Sequence, residues 1–129
     1  MEKRAFKTEE YSIQRAKISD GKSVAVTVPA NTEIKTAEFV LLDGWFGFVF
    51  SGVKTAAGET ARAILNVEQA EYESAQIANV AFKVGDAVYY DAKAKKLTSE
   101  AGTGNQKVGK VTTPKNADGA ITFILAAQA

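Results

Sequence analysis

The 129-residue sequence contains neither cysteine nor histidine. That double absence removes disulfides, Cys/His zinc sites, thiol nucleophiles and histidine-based triads from consideration. An excess of one charge sign is also missing. Sixteen Lys and Arg face fifteen Asp and Glu, for a net charge of +1. Such balance argues against binding nucleic acid by counterion release, and it weakens a membrane-surface role. No apolar run approaches the ~20 residues a spanning helix needs. The opening MEKRAFKTEEY lacks the apolar segment of a secretion signal, so the expectation is a protein made and folded in the cytosol, or assembled from there. Carboxylates, Lys, Ser, Thr and Tyr remain for chemistry, and no two carboxylates are spaced on one face for acid–base work.

What is present is apolar content, 46% of residues, enough for one domain with a core. Residues 1–10 are charge-rich, with Phe6 the single large anchor after Met1, and read either as a frayed terminus or as an arm that orders on a partner. Residues 11–129 are read as one β domain. Short alternating runs between turn dipeptides predict about eight strands. Tyr11 and Ile13 alternate with Ser12 and Gln14; Val24, Val26 and Val28 alternate up to Pro29. Asp43-Gly44 separates residues 39–42 from residues 45–50 and predicts a two-residue hairpin. Gly85-Asp86 precedes a strand at 87–90, residues 107–112 form another, and Asn116 to Gly119 turn into a last strand at 120–127. That last strand is apolar on both faces, which places it centrally or at a subunit interface. Residues 61–80 are ambiguous: local propensity favours a helix, while Ala63, Leu65 and Val67 alternate as a strand would. The fold class expected is all-β, a small barrel or sandwich of antiparallel strands with an extended N-terminal arm.

The stretch DGWFGFVF at 43–50 carries four aromatics in eight residues. Phe46-Gly47-Phe48-Val49 matches the middle of an RNA-recognition signature, but Gly44, Trp45 and Ser51 break its ends. On alternation, Phe46, Phe48 and Phe50 share a face that looks like core, and Gly47 on the other face suits close approach of a second backbone. Gly102-Thr103-Gly104 has no GKS/T ending and no convincing helix after it, so it reads as a loop and not a phosphate cradle. Asp86, Asp91 and Glu100 match no calcium-loop spacing, and Lys93, Lys95 and Lys96 read as a solvated turn. No catalytic, cofactor or metal residues are expected.

The second half resembles a known family. Phe82-Lys83-Val84-Gly85-Asp86-Ala87-Val88-Tyr89-Tyr90-Asp91 is followed by Leu97-Thr98 and Gly104-Asn105. Val108-Gly109-Lys110-Val111, Asp118-Gly119 and a terminal alternating strand complete the order. This series resembles the capsid cement, or head decoration, proteins of tailed bacteriophages. The resemblance implies a small all-β protein on the outer surface of a phage head, bridging neighbouring major capsid subunits. It implies no enzyme, no cofactor, no nucleic acid and no membrane. It further implies a homo-oligomer, with a trimer favoured over a dimer, and strands rather than helix in residues 62–67 and part of 72–77. Candidate contacts to capsid or sister subunits are Arg4, Phe6, Tyr11, Trp45, Tyr90 and Ile124. A nucleic-acid-binding small barrel and a tail or fibre component are the competing expectations.

Overall fold

A computed structural model describes residues 15–128. The arm and the expected strand around Tyr11 and Ile13 therefore lie outside the described residues, as do Arg4 and Phe6. The described residues contain eleven strands and no helix. They are β1 (Ser23–Val28), β2 (Glu33–Ile34), β3 (Phe39–Leu42), β4 (Trp45–Val49), β5 (Val53–Lys54) and β6 (Ala61–Asn66). The second half adds β7 (Glu71–Ser74), β8 (Ala87–Asp91), β9 (Lys96–Thr98), β10 (Gln106–Thr113) and β11 (Ile121–Leu125). Three antiparallel sheets result, in the orders β1-β6-β4-β3, β7-β11-β10-β8-β9 and β2-β5.

The β3–β4 hairpin organises the first half. Asp43 and Gly44 both take positive φ, 52° and 80°, the type I′ geometry whose twist matches that of the flanking strands. Leu42 consequently pairs with Trp45, and Phe39 with Phe48. The four-stranded sheet curls, so that its edge strands β1 and β3 approach each other. The Asp43 carboxylate accepts a bond from the Thr27 N–H on β1 at 2.8 Å, tying the two edges together. Inside the curl lie Val26, Val28, Ile34, Val40, Val49, Ala63 and Leu65, with the β2–β5 ribbon as a further wall. Gly47 serves the close approach expected of it: a Cβ there would meet the Asn66 carbonyl oxygen at 2.7 Å.

The opposite face of the hairpin packs on the five-stranded sheet. Phe39 and Phe46 join Val88, Tyr90, Leu97, Val111, Ile121, Phe123 and Leu125 in a second core. The alternation of β11 is as read, with Ile121, Phe123 and Leu125 inward and Ile124 outward, and β11 is an internal strand. Residues 61–80 hold β6 and β7 and no helix. Local propensity loses there because β6 pairs along its whole length with β1, and such tertiary pairing outweighs tenths of a kcal/mol per residue.

Two expectations need correction. Of the three Phe residues on one face, only Phe46 is fully buried; Phe48 is half-buried and Phe50 is 53% exposed. Strand β4 ends at Val49, and the five-stranded sheet does not extend over Phe50. Tyr90 is not a contact residue on the surface: it is 3% exposed, with its ring 5.0 Å from that of Phe46. Tyr89, on the other face of β8, is the half-exposed member of the pair.

Two glutamines complete backbone bonding where strands run out. β6 pairs with β4 only at Phe48 and Val49. Beyond it, the Gln128 amide accepts from the Phe46 N–H at 2.8 Å and donates to the Phe46 carbonyl at 2.7 Å. Gln76 does the same for Phe39 on β3, at 2.8 Å for both bonds, and also donates to the Lys95 carbonyl. Each side chain substitutes for a missing strand and ties the curled sheet to the second half of the chain.

Two outcomes are expected. Gln128→Ala strands both Phe46 backbone groups, and chemical denaturation should show a loss of about 1–3 kcal/mol; an unchanged midpoint would mean that water replaces the amide. Burial, with Glu38 and Asp91 adding to it, pushes the Tyr90 phenol up to about 12. In the unfolded chain it ionises near 10, so the stabilisation is intact below about pH 10 and is lost as pH rises through about 12. Stability should fall by up to about 3 kcal/mol across that window, and Tyr90→Phe should flatten the fall.

Candidate interaction surfaces

With both cores enclosed, function rests on what the described surface offers. Among the described residues no group of three Asp or Glu side chains is placed to hold a metal ion. Asp86 and Asp91 instead cap turns: Asp86 accepts from the Lys83 N–H, and Asp91 from the Lys93 and Ala94 N–H groups. The loop at 102–105 is closed locally, with the Asn105 side chain donating to the Glu100 carbonyl at 3.1 Å. Of the two aromatics in the RNA-like signature, Phe46 has no exposed ring face on which a base could stack, while Phe48 is half-buried.

Two apolar surfaces remain. The first lies where the curled sheet extends beyond the five-stranded one. Phe48 pairs with Asn66 and Val49 with Leu65, so the register carried one residue on sets Phe50 level with Ile64. Phe50 is 53% and Ile64 47% exposed. Phe48 continues the patch inward, its ring 6.3 Å from that of Phe50 and 6.1 Å from that of Tyr72. The Tyr72 hydroxyl donates to the Glu68 carbonyl at 2.9 Å, and partial burial, with the Glu68 charge adding to it, raises its pKa. That hydrogen bond holds the ring as one rigid wall of the patch.

The second surface is the outer face of the five-stranded sheet. Ile124 stands on β11, the strand next to the β7 edge, 45% exposed, beside a groove of about 320 Å³ over β10 and β11. Lys107 and Lys110 line the same groove.

Of the residues singled out from sequence, Ile124 is on an exposed face and Tyr90 is in the core. Trp45 is half-buried against the interior of the curl. Arg4, Phe6 and Tyr11 lie outside the described residues. Phe50 as a surface residue, and Ile64 beside it, were missed. The signal for Ile64 was present: Ala63 and Leu65 alternate with it, and on a strand that alternation turns Ile64 outward.

A comparison with curated protein sequences finds no match. Among solved structures, the N base of the head fibre gp8.5 in bacteriophage phi29 is similar at 12% identity and a TM-score of 0.48, over 81% of this chain and 94% of that one. A family model, described as phage cement protein, matches residues 18–127 and so takes in all three sheets and both apolar surfaces. The ordered series from Phe82 to the terminal strand thus had the right origin, and the chain belongs to the phage cement protein family.

Proposed function

We propose that the protein binds the outer surface of a phage capsid and bridges neighbouring major capsid subunits, so stabilising the head. Membership of the cement family is the observation that carries this reading. The surface inventory is consistent with it: two enclosed cores and exposed apolar patches suit a binding module. The same family membership speaks for a structural, non-enzymatic role.

Within this reading, the Phe50–Ile64 patch is the capsid contact, with Phe48 and Tyr72 as its inner wall. Residues 1–10 act as an arm that adds contact area on the shell through Arg4 and Phe6, with Tyr11 next to it. A module that bridges two capsomers needs only modest affinity at each contact, because the second engagement is intramolecular and benefits from a high effective concentration. The protein works as a homo-oligomer, the trimer being the favoured arrangement and the dimer the alternative. It is made in the host cytoplasm and is carried on the virion.

The test is co-sedimentation with matching expanded capsids that lack the protein. The wild-type chain should pellet with them, and Phe50→Asp combined with Ile64→Asp should lower affinity tenfold or more. Both side chains are exposed, so the variant should keep its β-type circular dichroism. Failure of the wild-type chain to bind such capsids contradicts the cement reading. Normal binding by the double variant moves the contact to another face.

A further inference from the structure

The outer face of the five-stranded sheet is ordered by charge. Directly paired residues in antiparallel strands share a face. Ile124 on β11 pairs with Glu71 on β7 and with Lys110 on β10, and Lys110 pairs in turn with Ala87 on β8. One cross-strand row therefore reads Glu71, Ile124, Lys110, Ala87. A neighbouring position on β7 is Glu73, opposite Thr122, and Lys107 lies further along β10, opposite Tyr89. The acidic strand, the apolar strand and the basic strand follow one another at about 5 Å intervals. Glu71 is held over β11, accepting from the Thr112 hydroxyl at 2.6 Å, while Thr112 and Thr122 share a bond of 2.7 Å. Glu73 accepts from the Asn116 amide at 3.4 Å.

This order is self-complementary. A two-fold axis lying along β11, in the plane of contact, maps each copy's β7 over the other's β10. It leaves Ile124 on Ile124 and brings Glu71 of each copy over Lys110 of the other. An axis running across the strands would instead stack like charges. We propose that this face is an isologous contact with a second copy of the chain, centred on Ile124 and flanked by reciprocal Glu71–Lys110 pairs. The inference rests on the proposal that the protein is a homo-oligomer and specifies one of its contacts. A closed ring of three needs heterologous patches, so a two-fold face either makes a dimer or joins two rings.

The test is sedimentation equilibrium of the full chain without capsids, so that capsid binding plays no part in the result. An even copy number is expected: two copies, or six if the face joins two rings of three. Ile124→Asp should halve the mass. Glu71→Lys and Lys110→Glu should each weaken association about tenfold or more, and the two reversals combined in one chain should restore it, because each copy then presents the swapped pair. Both singles occupy exposed positions, and circular dichroism reports whether they fold. A wild-type monomer at the highest soluble concentration overturns the proposal. So does an odd-numbered oligomer, or a double reversal no better than either single. If Ile124→Asp leaves the mass unchanged but abolishes capsid co-sedimentation, the face belongs to the capsid and the pairing is wrong.

Discussion

The β3–β4 hairpin is a wall shared by two cores, and the rest of the structure depends on the ring of Phe39. That ring stacks on Phe46 at 5.4 Å with planes 10° apart. It meets Phe123 at 5.4 Å, and Phe48 and Tyr72 edge-on at 5.5 Å. Offset-stacked and edge-to-face contacts add about 0.5–1.5 kcal/mol each beyond simple burial. Because strands alternate, the residues between these Phe positions point the other way, and Val40 and Val49 fill the curled sheet. One hairpin therefore fixes the relative placement of both halves. The Gln76 and Gln128 amides lock its two exposed backbone positions to distant parts of the chain.

That economy determines what is left for binding. The five-stranded sheet covers Phe39 and Phe46 and ends short of Phe50, leaving an apolar patch at the open end of the curled sheet. Its own outer face carries Ile124 between strands of opposite charge. The two surfaces belong to different sheets and differ in character: one is aromatic and aliphatic, the other charge-ordered. The proposed shell contact and the proposed self-contact therefore fall on different sheets.

Much of the fold was legible because it follows from short-range rules. Asp43-Gly44 demanded its turn, Val24, Val26 and Val28 and then Ile121, Phe123 and Leu125 declared their faces, and Gly47 announced a close backbone. The order of motifs from Phe82 onward pointed to the family. What was not legible depends on where sheets end. Phe50 looks like Phe46 and Phe48 in sequence, and only the extent of the neighbouring sheet exposes it. Tyr89 and Tyr90 are equivalent until β8 is given an inner face. The helix-prone composition of residues 61–80 yields to pairing with β1, nearly forty residues earlier. The glutamine clamps bridge 37 and 82 residues and carry no local signal at all. The charge-ordered face is of the same kind, since Glu71, Lys110 and Ile124 become a row only once the strand order is known.

The most direct measurement is cryo-electron microscopy of the phage particle that carries this protein, asking where its density sits. The account predicts density on the outside of the head, spanning neighbouring capsid subunits, with the Phe50–Ile64 patch against the shell. Density on the tail, inside the head or nowhere on the particle would contradict it.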